Sequence, residues 1–265
     1  MQMIRITERG IMMLQQERFQ IIMDEVRRQS AVTVHDLAIK MNVSESTIRR
    51  DISSLDDAGE VKKVFGGAVA IDKTTDKGII ARESGMAEKS MLFVDEKRAI
   101  GRYAASLIED DDFVFIDAGT TTGFLIEHLE NRNATYVTNG MRHAMRLSEL
   151  GFKSYILAGQ AKYLTEAIAG TLACDSMRRY GFTKSFIGTN GIDIKKGLTT
   201  PDIEEAMVKE EAVRRSAEAY ILTDSSKFGA VSSVSFADIG NVTIITDKCP
   251  DKKYEKTANI IAVAE

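Results

Sequence analysis

From residue 113 onward, short apolar runs alternate with amphipathic stretches of about ten residues, a pattern that few folds absorb. The runs predict strands at 113–116, 135–137, 154–157, 184–187, 219–222, 242–245 and 260–263. Helices are expected between them at 121–129, 141–150, 171–179 and 203–217. Strands this short and apolar need cover on both faces, which calls for a parallel or mostly parallel sheet in a Rossmann-like α/β domain. Ligands of such folds sit at the carboxyl ends of the strands, so the residues that follow each run are the candidates for function.

Asp117-Ala118-Gly119-Thr120-Thr121-Thr122-Gly123 follows the first run. A glycine and three hydroxyl residues entering a helix offer backbone N–H groups and hydroxyls to an anion. The stretch has neither the Gly-Lys-Ser/Thr ending of a Walker loop nor a G-x-G-x-x-G pattern. Thr138-Asn139-Gly140, Ala158-Gly159-Gln160 and Gly188-Thr189-Asn190-Gly191 follow later runs. The last of these leads to Gly197-Leu198-Thr199-Thr200-Pro201-Asp202, and Thr223-Asp224-Ser225-Ser226-Lys227 closes the next run. Small, hydroxyl and amide residues at every central strand end exceed what turns require. Lys209 and Lys227 are candidate partners for a phosphate, and Asp117 and Asp224 can accept hydrogen bonds from sugar hydroxyls. Taken singly, each lysine reads equally well as a solvated surface group.

The N-terminal part has a different grammar. In residues 34–55, Leu37, Ala38 and Met41 make one apolar face, and Val43, Ile48, Ile52 and Leu55 make another with helical spacing. Ser44 suits an N-cap, and Glu45 suits the first turn that follows it. With Ile48 inward, Ser46, Arg49, Arg50 and Ser53 face away from the core, as in a helix that enters a DNA major groove. A preceding helix is expected at 16–26, with Phe19, Ile22, Met23 and Val26 on one face. After the helix that ends near Leu55, Val61-Lys62-Lys63-Val64-Phe65 and Gly66-Gly67-Ala68-Val69 read as a two-stranded wing turning at the glycine pair. Lys62 and Lys63 would then approach backbone phosphates. The bland alternative is a helical hairpin of some other small domain, its arginines merely solvated.

A chain of 265 residues exceeds the usual single domain, and 44% apolar content suffices for two cores. The predicted division is an extension at 1–13, a winged helix-turn-helix at 14–71, a polar linker at 72–88 and an α/β domain at 89–265 that opens on a helix over 88–108. The net charge of -4, with eleven basic and eleven acidic groups in residues 1–75, does not suit a nonspecific nucleic-acid coat. It suits a site-specific reader that adds modest contacts as a homodimer or homotetramer. Cys174 and Cys249 lack metal-ligand or C-x-x-C spacing and read as reduced thiols. No run reaches the ~18 apolar residues of a membrane span, and the N-terminus lacks the long apolar region of a signal peptide. A cytoplasmic protein without metal, cofactor or membrane partner is expected.

Three stretches carry a specific resemblance: Val32-Thr33-Val34-His35-Asp36-Leu37-Ala38, Asn42-Val43-Ser44-Glu45-Ser46-Thr47-Ile48-Arg49-Arg50-Asp51 and Val64-Phe65-Gly66-Gly67-Ala68-Val69. The chain resembles the DeoR family of bacterial transcriptional regulators, mostly repressors of sugar or nucleoside catabolic operons, many of them answering to a phosphorylated sugar. The later motifs resemble that family's effector domain, which is similar in fold to ribose-5-phosphate isomerase. The resemblance implies operator contacts from Thr33, Ser44, Glu45, Ser46, Thr47, Arg49, Arg50, Lys62 and Lys63. It implies effector contacts from Asp117, Gly119, Thr120, Thr121, Thr122, Thr138, Asn139, Gly159, Asn190, Thr199, Glu205, Lys209, Asp224 and Lys227. The family often has Gly-Ala-Asp-Gly where this chain has Gly188-Thr189-Asn190-Gly191, and an amide is a poor general base. Regulation is therefore expected over catalysis. The alternatives are a sugar-phosphate isomerase-like enzyme with a fused helical domain, and a protein-interaction module using the N-terminal helices.

Overall fold

The computed structural model describes residues 15–29, 31–57, 60–70 and 86–263. The expected extension at 1–13 and most of the expected linker lie outside the described residues. Contacts divide the chain into two units, Met1–Lys73 and Thr74–Glu265.

In the first unit the order is α1 (Gln15–Gln29), β1 (Ala31–Thr33), α2 (Val34–Met41), α3 (Glu45–Asp57), β2 (Val61–Val64) and β3 (Gly67–Ala70). Helix α2 ends on Asn42, whose left-handed backbone (φ 51) lets the Val43 N–H reach the Ala38 carbonyl at 3.1 Å. That turn sets α3 across α2. Ile22, Val26, Leu37, Met41, Ile48, Ile52 and Leu55 form one buried cluster, the inward faces that the helical spacing predicts. The wing differs in two ways. It has three antiparallel strands in the order β1-β3-β2, because Ala31–Thr33 pairs with β3, and three residues are too few to show a strand period. Its turn is Phe65-Gly66, with Gly66 at φ 80, rather than the glycine pair. Gly67 already belongs to the strand, where a Cβ would lie 1.9 Å from the Val32 carbonyl oxygen, so glycine is what permits β1 to pair there. Asp51, fully buried on α3, takes a two-pronged bond from Arg18 of α1 at 2.6 and 3.0 Å.

The second unit holds α4 (Met86–Met91), α5 (Val94–Ser106), β4 (Phe113–Ile116), α6 (Thr120–Glu127), β5 (Thr135–Thr138), α7 (Met141–Glu149), β6 (Ser154–Ile156), β7 (Gln160–Lys162), β8 (Ala167–Ala169) and α8 (Thr171–Met177). It continues with β9 (Phe182–Gly188), β10 (Gly191–Asp193), β11 (Gly197–Thr200), α9 (Ile203–Arg214), β12 (Ser216–Leu222), β13 (Val234–Ala237), β14 (Thr243–Thr246), α10 (Lys252–Glu255) and β15 (Asn259–Ala262). Seven strands form one sheet in the order β15-β14-β12-β9-β4-β5-β6, every neighbouring pair parallel. Alternate residues feed two cores. Phe115, Val137, Ile187, Ile221 and Ile244 pack with Ala173, Met177, Val208 and Ala212 of α8 and α9 on one face. Val114, Ile116, Tyr136, Phe186 and Ile245 pack with Ile100, Leu125, Ile126 and Leu147 of α5, α6 and α7 on the other. The two-sided cover expected of an α/β domain is present.

Three differences bear on function. The helix expected over 88–108 is broken: α4 stops at Met91, Phe93 is left-handed (φ 53), and α5 starts at Val94. Neither glycine nor proline marks the break in the sequence, and Met86–Glu88, counted with the linker, are helical. Two runs taken for loops are strands: Gln160–Lys162 pairs with β8, and Gly197–Thr200 lies in a small antiparallel sheet ordered β10-β11-β13. Gln160-Ala161-Lys162 and Gly197-Leu198-Thr199-Thr200 are too short and too polar to show apolar alternation, so only their pairing reveals them.

Candidate effector site and DNA-reading face

The chain runs from β4 to one side of the sheet, returns to β9 beside β4, and then builds toward the other side. This reversal opens a crevice at the carboxyl ends of the two adjoining strands. A cleft of about 720 Å³, its open mouth included, lies there. Asp117 follows β4 at 2% exposure and pairs with the Lys209 ammonium from α9. The same carboxylate accepts from the Gly188 N–H at 3.0 Å, and Lys209 donates to the Gly188 carbonyl at 3.1 Å. One ion pair thus joins β4, β9 and α9 beneath the cleft.

Helix α6 begins on Gly119, and no side chain caps it. Its first N–H groups therefore face the cleft through Thr120, Thr121 and Thr122, an arrangement that suits an anion. The Thr122 hydroxyl lies 2.6 Å from the Asp117 carbonyl and 3.0 Å from Nε2 of His143. Burial lowers the His143 pKa to about 4, so the ring is neutral. With the hydroxyl proton given to the carbonyl, Nε2–H donates to Thr122 and holds the loop.

Carboxylates and cations come from other elements. Glu205, buried on α9, accepts from the Thr165 hydroxyl at 2.5 Å. Asp224 follows β12 and accepts from the Ser226 N–H at 3.1 Å, capping the turn that carries Lys227. The Lys227 ammonium, half-buried, makes no hydrogen bond or ion pair among the described residues. Asn190 accepts from the Thr200 hydroxyl at 3.2 Å. With Lys209 matched by Asp117, Lys89, Lys97 and Lys227 face Glu205 and Asp224, leaving the cleft a positive excess.

Of the sequence-derived effector residues, Gly119, Thr120, Thr121, Thr122, Asn190, Glu205, Lys209, Asp224 and Lys227 line this one cleft, with Asp117 beneath it. Four others do not line it. Thr138 spends its hydroxyl on the Ile116 carbonyl at 2.6 Å and the Gly140 N–H at 3.0 Å. Asn139 accepts from the Ala118 N–H at 2.7 Å and so shapes the loop from behind. Gly159 packs on β8, where a Cβ would meet Ile168 at 2.8 Å. Thr199 is buried in the small sheet and accepts from the Ser232 N–H at 2.9 Å. Polar residues at buried strand ends satisfy backbone groups first, and sequence cannot separate that duty from ligand contact.

The sequence reading missed Lys97. It sits on α5, 4% exposed, and donates to the Lys89 carbonyl. Its place in an amphipathic helix resembles that of any surface lysine, so only the fold turns it inward. Burial lowers its pKa from 10.5 to about 8, with Asp224 opposing and Lys227 reinforcing the shift. A lysine depressed on folding binds fewer protons than in the unfolded chain between those values. The penalty is therefore full below pH 8 and is relieved as pH rises toward 10.5. At about 1.4 kcal/mol per unit it amounts to roughly 3 kcal/mol, less ~1 kcal/mol for the bond to Lys89. Lys97→Met is expected to stabilise the protein by about 2 kcal/mol at pH 7, a gain that shrinks by pH 10. Urea unfolding at both pH values checks this, and a destabilised variant at pH 7 would refute the penalty.

On the N-terminal unit, Thr33 caps α2 by accepting from the Asp36 N–H at 3.0 Å, and Ser44 caps α3 by accepting from Thr47 at 3.2 Å. Ser44 also meets the hydroxyls of Ser46 and Thr47 at 2.8 and 2.9 Å. Ser46, Arg49 and Arg50 are exposed along one face of α3. Glu45 holds Arg49 at 3.0 Å and His35 at 3.3 Å, and these two partners keep its carboxyl below the usual range. Lys62 and Lys63 are exposed on β2, with Lys63 donating to Ser53 of α3 at 2.8 Å. Helix and wing thus share a polar, cationic face.

Among the described residues, no helix is long and apolar enough to cross a membrane, and no cluster of side chains is suited to a metal ion. Residues 18–74 match the DeoR-like helix-turn-helix domain, and residues 92–248 match the DeoR C terminal sensor domain. The Uncharacterized HTH-type transcriptional regulator FruR of Bacillus subtilis is 41% identical over 92% of this chain and 95% of that protein. The Lactose phosphotransferase system repressor of Staphylococcus epidermidis is 32% identical over 93% of this chain and 98% of that protein. Ribose 5-phosphate isomerase A of Methanocaldococcus jannaschii superposes with a TM-score of 0.39 at 15% identity, over 51% of this chain and 54% of that one. With both domain matches in sequence order and relatives aligned over nearly its full length, the chain belongs to the DeoR family of helix-turn-helix transcriptional regulators, DNA-binding proteins rather than enzymes.

Proposed function

We propose that the sensor-domain cleft takes a phosphorylated sugar, and that its occupancy controls operator binding by the N-terminal helix-turn-helix. The chain then acts as a repressor of a sugar utilisation operon. The observation that carries this reading is the joint lining of one cleft by the uncapped start of α6, by Lys97 and Lys227, and by Asp224, Glu205 and Asn190. The N–H groups and ammonium groups suit a phosphate dianion; the carboxylates and the amide suit sugar hydroxyls. The repressor sense draws support from the staphylococcal relative that bears that name. Homodimers or homotetramers would hold two α3 helices at operator half-sites, with residues 72–85 as the connector. Ligand lowers operator affinity by a coupling of about 1–3 kcal/mol, five- to 150-fold.

The test is operator binding, with DNA from upstream of the gene, titrated with hexose and pentose phosphates and with the free sugars. Release by one phosphate ester and not by its parent sugar is the expected result. Thr121→Val and Lys227→Met are each expected to weaken that response at least tenfold while basal operator affinity stays as it was. If both variants respond like the wild type, the cleft is not the effector site.

A further inference from the structure

The break between α4 and α5 is spanned by one side chain. Lys97 lies one turn into α5, its backbone N–H on the Phe93 carbonyl at 3.0 Å, and its ammonium reaches back across the break to the Lys89 carbonyl near the end of α4. A helix of six residues closes too few backbone bonds to persist unaided, and its last carbonyls need outside donors. Lys97 supplies one. The left-handed Phe93 beside it is a conformation that a non-glycine residue holds only when its surroundings enforce it.

The same ammonium lines the cleft. An ammonium has three N–H donors, and among the described residues Lys97 spends one on Lys89. Charged neighbours facing it are Asp224, Lys227, Lys89 and Glu96. Met86, Lys89, Leu92 and Phe93, from α4 and the break, line the cleft as well. Ligand and α4 therefore draw on one cation. Helix α4 is also the first described element after the DNA-binding unit.

Resting on the phosphate-ester reading of this cleft, we propose that Lys97 is the residue that couples effector to operator. In the free protein its ammonium closes the end of α4; an anion at the start of α6 takes that ammonium, and α4, the first described element after the DNA-binding unit, loosens. A charge-assisted bond to a dianion outcompetes one to a neutral carbonyl, which gives the exchange its direction. Since a ligand shifts a conformation only through a differential contact, the transfer of Lys97 between two acceptors is that contact.

Hydrogen exchange on the full chain tests this, with inorganic phosphate and fructose 1-phosphate as probes. The wild type is expected to show slower exchange at the amides of Thr120, Thr121 and Thr122 and about tenfold faster exchange at those of Ser90, Met91 and Leu92. In Lys97→Met, α4 should exchange fast from the start and ignore either probe, while Lys97→Arg restores part of the response. Protection at α6 with α4 unchanged or slowed overturns the coupling and leaves the effector site standing. Absence of protection at α6 with both probes overturns the coupling and the anion site together.

Discussion

Lys209→Ala is expected to destabilise the sensor domain by about 3–5 kcal/mol, because it strands the Asp117 carboxylate in the interior. The carboxylate is 2% exposed, and with the ammonium gone the Gly188 N–H at 3.0 Å remains as its hydrogen-bond donor. One hydrogen bond does not replace a paired charge. Removing both charges leaves no ion to desolvate, so Asp117→Asn with Lys209→Met should cost less than the two single changes added together. Residues in direct contact couple by about 0.5–3 kcal/mol, which a double-mutant cycle in urea can read. A loss below ~1 kcal/mol for Lys209→Ala would mean that the pair is not the brace inferred for it. The brace matters because it fixes the loop between β4 and α6 against β9, the floor on which any ligand would rest.

Arg50→Ala is expected to lower operator affinity by about a hundredfold or more. A guanidinium reading a guanine edge contributes about 1–3 kcal/mol of discrimination, and a two-fold operator complex loses the contact twice. Arg50 is singled out over Arg49 by its surroundings: Arg49 is engaged by Glu45 at 3.0 Å, whereas Arg50 is exposed and carries no side-chain partner among the described residues. Arg49→Ala should therefore have the smaller effect. Lys62→Ala and Lys63→Ala should weaken specific and nonspecific DNA alike, each lowering the salt slope by about one. Gel shifts at two salt concentrations separate the two behaviours, and wild-type affinity for Arg50→Ala would exclude α3 as the reading helix in the orientation inferred here.

The elements legible in the sequence are those whose signal is local. Ile48, Ile52 and Leu55 repeat at helical spacing, so α3 and its polar face with Ser46, Arg49 and Arg50 follow from period alone. The apolar runs at 113–116, 184–187 and 219–222 are short and doubly covered, so a parallel sheet follows as well. Because ligands gather at strand ends, Thr120, Thr121, Asn190, Asp224 and Lys227 could be named before their geometry was known. The relation of the motifs to the DeoR family was also legible, since it rests on residue identities.

Other features were decided by tertiary structure. Thr138, Asn139, Gly159 and Thr199 share the chemistry of the cleft residues, yet the three side chains bond backbone groups of neighbouring segments and Gly159 packs on β8, and strand order determines which way each points. Lys97 looks solvated in a helical wheel and is buried because α4 and the loop carrying Asp224 close over it. Arg18 and Asp51 stand thirty-three residues apart with no pattern linking them. Periodicity and capping are encoded within a turn or two of the chain, so the sequence by itself determined most of the helices, the parallel sheet and the polar face of α3. Whether a polar side chain meets a ligand, a carbonyl or another charge depends on residues far away in sequence, and the packing of the folded chain alone decided it.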